Sequence, residues 1–257
     1  MIEVDRLTVH YDGRRALSDL TLRVEEGELF GILGPNGAGK TTLFSVLAGQ
    51  KKPTKGSVRV AGLDPGRQGR KVREVMGIVP QTFAGYELLT AYENLHFFGS
   101  MYRVRKRDLY KRSRELLGMV SLQPRAHDPV RSFSGGMRHR LNIILGLVQQ
   151  PRIVIMDEPT TGLDPLAREE LWAIIRTLRE RGVTILLTTH YMQEAEALCD
   201  RVAILDRGQV RLVGRPADLG SDLEAVFRAC VTNDAVTDRQ GEPVAHTPAR
   251  VKQEGTD

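Results

Sequence analysis

The sequence predicts an α/β fold with a largely parallel sheet, and three observations carry that reading. Short apolar runs at 29–33, 153–156 and 183–187 have the length and the branched side chains of strands buried on both faces. Segments of helical periodicity separate them, and strands alternating with helices are the pattern of a parallel sheet. A glycine-rich stretch, 34–39, stands between the first of these runs and a helix.

Taken in order, Ile2, Val4, Leu7 and Val9, then Leu20, Leu22 and Val24, recur with the period of half-buried strands. Asp12-Gly13 and Glu26-Gly27 supply turns. Beyond the glycine-rich stretch, Leu43, Phe44 and Leu47 fall on one helix face. Residues 57–61 read as a strand and 77–80 as a further core segment. From about 86 to 149 the texture is helical, rich in Glu, Arg, Leu and Met. Within it 107–119 is amphipathic, and Met137, Leu141, Ile144, Leu145 and Val148 share a face of a helix placed after Ser134-Gly135-Gly136. Leu171, Ile174, Ile175 and Leu178 mark another amphipathic helix, and strands at 202–205 and 210–213 flank the turn at Asp206-Arg207-Gly208. Residues 218–231 read as a short helical extension, and 232–257, polar and without aromatics, as a disordered tail.

With 41% hydrophobic and 27% charged residues the chain has the composition of a globular protein. No apolar run approaches the roughly 18 residues a membrane-spanning helix needs, and the acidic start is not a secretory signal. Work at a membrane is therefore expected from its cytoplasmic face. The dense cationic cluster at 103–114 reads as a solvated helix face, with a membrane- or partner-facing patch as the alternative. His127 and His139 read as surface residues. Cys199 and Cys230 fit neither a metal spacing nor a disulfide framework, so free thiols in a reducing cytosol are expected.

Gly34, Pro35, Asn36, Gly37, Ala38, Gly39, Lys40 and Thr41 satisfy G-x-x-x-x-G-K-[ST] in the strand-then-helix context the motif requires. Glycines let backbone N–H groups converge on a polyphosphate, and the following helix turns its positive end on the same anion. Lys40 is expected on the β- and γ-phosphates, the Thr41 hydroxyl on Mg²⁺, and Thr42 on a further phosphate contact. The apolar run at 153–156 ends in Asp157-Glu158. At such a strand end Asp157 is placed to hold Mg²⁺ through water, and Glu158 to orient and deprotonate the attacking water.

A guanine-recognition motif, [NT]-K-x-D, is absent from the sequence. Phe133-Ser134-Gly135-Gly136-Met137 resembles the L-S-G-G-Q signature of ATP-binding cassette (ABC) ATPases, and it stands in the family's order between the phosphate loop and Asp157-Glu158. The resemblance spans roughly 1–215. It implies a P-loop NTPase (RecA-like) core with an N-terminal antiparallel β subdomain and an inserted α-helical subdomain at about 86–149, the whole ATPase domain covering 1–217. It further implies that Tyr11 stacks on adenine and that Gln81 contacts Mg²⁺ and the attacking water. Asp164, in Gly162-Leu163-Asp164, would lie in the loop that crosses the dimer interface, and His190 would reach the γ-phosphate.

In that family two chains sandwich two ATP molecules head to tail, each held by Lys40 of one chain and by Ser134, Gly135 and Gly136 of the other. The implied partners are a second copy of the chain and separate integral membrane permease subunits, with no nucleic acid. Phe133 and Met137 depart from the signature's Leu and Gln, and the S-G-G-M form, like the segment 189–206, is similar to the ATPases of ABC-2-type exporters. The expected function is to energise export. An importer ATPase is the alternative, and a soluble ABC ATPase acting on ribosomes or DNA a further one, although such proteins carry two cassettes or long coiled-coil insertions.

Overall fold

The alternation of apolar and polar residues in the first segments builds a three-stranded antiparallel sheet. A computed structural model describes residues 1–11, 13–220 and 222–232. Strand β1 (Ile2–Tyr11) lies between β2 (Arg14–Val24) and β4 (Lys55–Val60), antiparallel to both. The spacing of Val4 and Leu7 departs from a period of two because Arg6 takes a left-handed φ of 44° and shifts the register there. Gly56 answers that bulge: a Cβ on it would lie 2.3 Å from the Arg6 carbonyl oxygen. Asp12, in one of the expected turns, and 233–257, which contain almost all of the expected tail, lie outside the described residues.

The second sheet has the order β5-β6-β7-β3-β8-β9, from β3 (Leu29–Leu33), β5 (Met76–Val79), β6 (Ile153–Asp157), β7 (Thr184–Thr189), β8 (Arg201–Asp206) and β9 (Gln209–Gly214). All its pairings are parallel except that of β8 with β9. The uninterrupted apolar runs follow from burial on both faces. Phe30, Ile32, Ile153 and Ile155 join the antiparallel sheet and α1 (Lys40–Leu47) in one core. Leu29, Leu33, Val154 and Met156 face a second core built with the helices. The chain thus has the predicted P-loop NTPase architecture.

Helices α3 (Ala91–Met101), α4 (Lys106–Met119) and α5 (Gly135–Leu145) supply the expected helical segment. Thr90 and Glu93 form a reciprocal capping box at the start of α3. In α4, Leu109, Leu116 and Leu117 are buried while the cations at 106, 107, 111 and 114 are exposed; Arg103 and Arg105 of the expected cluster precede the helix, and Arg112 is half-buried. Helix α5 begins at Gly135 with Ser134 as its N-cap, two residues before the expected start, because the serine hydroxyl accepts from the Met137 N–H at 3.3 Å. It ends at Leu145, so Val148 is buried in the turn that follows rather than on the helix.

Two helices carried no periodic signal. Helix α2 (Pro65–Val75) buries only Pro65 and Val72, and it is specified at its start, where Asp64 accepts from the N–H groups of Gly66 and Arg67 and Pro65 opens the first turn. Helix α7 (Met192–Leu198) is too short for an apolar stripe to repeat. Helices α6 (Pro165–Glu180) and α8 (Leu223–Thr232) complete the elements used below. Among the described residues no helix is long and apolar enough to cross a membrane.

Candidate functional site

A cleft of about 590 Å³ opens where the loop after β3 meets the C-terminal ends of β6 and β7. This is the edge of a parallel sheet where strand ends leave a crevice for ligands. Its walls are Ala16, Pro35, Asn36, Gly37, Ala38, Gly39, Lys40, Thr41, Thr42, Gln81, Asp157, Glu158, Thr161 and His190. Gly37 and Gly39 have φ of 82° and 109°, a region that other residues enter only with strain. Gly34 stays outside the wall and serves the backbone: a Cβ there would meet the Leu205 carbonyl oxygen at 2.4 Å. No side chain caps the N-terminus of α1, so its first N–H groups are available to a bound anion.

Lys40 is buried and donates from Nζ to the carbonyls of Gly34 at 2.7 Å and Pro35 at 3.2 Å. The same Nζ lies 3.6 Å from Glu158 Oε1. Glu158 has a left-handed φ of 45°, rare for a residue with a side chain, and its N–H is held by the carbonyl and the hydroxyl of Thr188 at 3.1 and 3.0 Å. Its Oε2 accepts from Gln81 Nε2 at 3.4 Å and Thr161 Oγ1 at 3.2 Å, and His190 Nδ1 stands 3.2 Å away. One carboxylate therefore sits at the centre of a lysine, a glutamine, a threonine and a histidine. A group so placed can take a proton from water while the neighbouring cation and N–H donors stabilise charge on a phosphate. Asp157 lines the same wall, with Oδ1 accepting from the Thr188 hydroxyl at 2.6 Å.

Other expected residues lie elsewhere. Tyr11 is not part of the wall; it is 40% exposed, with Lys51 Nζ 4.0 Å from its ring centroid. Ser134, Gly135 and Gly136 open α5 away from the cleft, and Asp164 caps α6 by accepting from the Ala167 N–H at 3.0 Å. His139, expected at the surface, is half-buried and its Nδ1 lies 2.9 Å from the Pro159 carbonyl oxygen. The expectation failed because Pro159, twenty residues on, folds back against α5. His127 is exposed, as expected. Ala16, Thr161 and Thr188 belong to the site without having been singled out; only the adjacency of Thr161 and Thr188 to motif residues hinted at them.

The family described as ABC transporter matches this chain over residues 17–161, more than half its length. The chain belongs to the ABC transporter family. A linearmycin resistance ATP-binding protein of Bacillus subtilis is 40% identical over 223 residues, spanning 87% of this chain and 72% of that protein. A Nod factor export ATP-binding protein of Ralstonia nicotianae is 40% identical over 232 residues, covering 88% and 72%. A dimeric ATP-binding cassette in a post-hydrolysis state with ADP and phosphate superposes with a TM-score of 0.75 at 30% identity, over 84% of this chain and 99% of that one. The chain is thus an ABC ATPase cassette, and ATP is what such a cassette binds and hydrolyses.

Proposed function

We propose that this ABC ATPase energises export through a separate membrane permease, working as a head-to-tail dimer on the cytoplasmic face of the membrane. The observation that carries the reading is the convergence of Lys40, Gln81, Thr161 and His190 on Glu158, while Ser134, Gly135 and Gly136 present a second anion-binding helix start outside that cleft. One chain supplies half of each site. The export direction is supported by the names of the relatives, which are resistance and export proteins; nothing in the site favours the importer reading.

In this reading Glu158 takes the proton of the attacking water, which Gln81 helps to orient. Lys40 and His190 both reach the γ-phosphate, and Tyr11 stacks on the adenine. Asp164 lies at the dimer interface. Thr41, Gln81 and Asp157 offer the oxygen donors that Mg²⁺ takes, and Thr188 already fixes one Asp157 oxygen, so the residues fit that ion. Bound there, Mg²⁺ supplies charge neutralisation on the phosphates. The ATPase domain is 1–217, with the helical subdomain at 86–149 and 218–231 as an extension. Tyr86 and Leu88, 49% and 79% exposed beside Phe97, form the surface for the permease; a crosslinker at Tyr86 should capture it.

The test is Glu158→Gln. It should abolish steady-state hydrolysis yet yield an ATP-dependent dimer by light scattering, because the binding groups remain while the base is lost. Normal turnover, or a monomer at saturating MgATP, would sink the reading.

A further inference from the structure

Helix α5 touches both loops that deliver the catalytic side chains. Its start, Ser134 to Gly136, is the part assigned to the partner's ATP. One turn on, His139 Nδ1 lies 2.9 Å from the Pro159 carbonyl oxygen. A carbonyl has no proton to give, so Nδ1 carries the hydrogen and donates it. Pro159 directly follows Glu158. Glu158 is therefore bracketed: Thr188 holds its N–H, and His139 holds the carbonyl of the next residue. That bracketing is what a left-handed φ at a non-glycine residue requires to persist.

Three residues beyond His139, on the same helix face, stands Asn142, 4% exposed. Its Nδ2 donates to the Pro80 carbonyl at 2.8 Å and the Thr82 carbonyl at 3.4 Å, and its Oδ1 accepts from the Ala84 N–H at 3.0 Å. Pro80 and Thr82 are the residues on either side of Gln81. Arg140 adds an ion pair at 3.2 Å to Glu170 of α6. One rigid helix thus grips the Glu158 turn through His139 and the Gln81 loop through Asn142.

We infer that His139 and Asn142 are positioning residues for hydrolysis, α5 holding the Glu158 turn and the Gln81 loop in place against the core. The inference rests on the composite-site reading above. Reacting groups tolerate little misplacement; about 1 Å costs on the order of a hundredfold in rate. Loss of either grip therefore lets the base or the water-positioning glutamine leave its place.

Mixed dimers of two differently tagged chains test this. With Glu158→Gln in one chain, only the other chain hydrolyses ATP. His139→Ala placed in the hydrolysing chain should lower kcat by roughly two- to tenfold, the worth of one neutral hydrogen bond, with KM for ATP unchanged. His139→Gln, which keeps an N–H donor, should recover most of that loss. The same His139→Ala placed in the Glu158→Gln chain should leave the rate unaltered, since that chain contributes only its intact Ser134 end. Equal slowing in both arrangements would mean mere damage to the signature helix and overturn the inference, as would no slowing in either. A Glu158→Gln chain that stays monomeric with MgATP would instead overturn the dimer reading, a failure distinct from that of the positioning roles.

Discussion

The Thr188 hydroxyl donates to Asp157 Oδ1 at 2.6 Å and accepts the Glu158 N–H at 3.0 Å. One fully buried side chain on β7 thereby fixes the two acidic residues at the end of β6. Thr188→Val keeps the shape and removes both bonds. Hydrogen bonds to charged groups contribute about 1.5–3 kcal/mol, so kcat/KM should fall roughly ten- to a hundredfold. Thr188→Ser should retain most of the activity. An ATPase assay on purified variants decides it, and a Val variant as active as the Ser variant would refute the assigned role.

Gly77 in β5 is packed against the residue after α5. A Cβ on it would fall 2.0 Å from the Gly146 carbonyl oxygen and 3.1 Å from Pro151 Cγ. Both strand and helix end are held by the core, so neither yields cheaply. Gly77→Ala should destabilise by about 1–3 kcal/mol or more. The melting temperature should fall by several degrees in a thermal scan at fixed nucleotide concentration.

Glu194 on α7 is fully buried, with Oε1 accepting from Thr160 Oγ1 at 2.9 Å and from Trp172 Nε1 at 3.0 Å. Glu194→Leu would strand both donors, at about 1–3 kcal/mol for each group left unsatisfied. Glu194→Gln keeps an acceptor oxygen and should be milder. Trp172 is the one tryptophan of the chain, so its emission should shift in the Leu variant while urea unfolding reports the stability.

The two thiols should behave differently. Burial pushes the Cys199 thiol well above its ordinary range, and the nearby carboxylates of Glu194, Asp200 and Glu28 add to it. Below the ordinary thiol range both folded and unfolded chains keep the proton, and the residue has no effect on pH dependence. As pH rises past that range the unfolded chain releases the proton while the folded chain holds it, so stability falls. Cys199→Ala should flatten that alkaline decline in urea midpoints measured from pH 7 to 10. In the native protein a thiol-reactive dye should label the partly exposed Cys230, and reach Cys199 only after unfolding.

Local pattern carried far in this chain. The glycine loop, the strand at 153–156 and the helix at 107–119 declare themselves through neighbours a few residues away, and the structure has them where expected. Helix α2 escaped because its stability comes from Asp64, Pro65 and docking rather than from an apolar stripe. His139 was misread because a lone histidine has no local signal; its partner, Pro159, is brought in when the turn after β6 folds against α5.

The sequence by itself determined that a polyphosphate loop precedes a helix, that an acidic pair ends a buried strand, and that a further helix starts at Ser134-Gly135-Gly136. These are short-range features, set by backbone conformation and strand or helix period. Only the tertiary structure decided that Glu158 gathers Lys40, Gln81, Thr161 and His190, that Tyr11 is not among the residues lining the cleft, and that α5 grips both catalytic loops. Thr161 apart, which is three residues from Glu158, those contacts join residues distant in the chain. They depend on the order in which parallel strands stack, and no local period records that order.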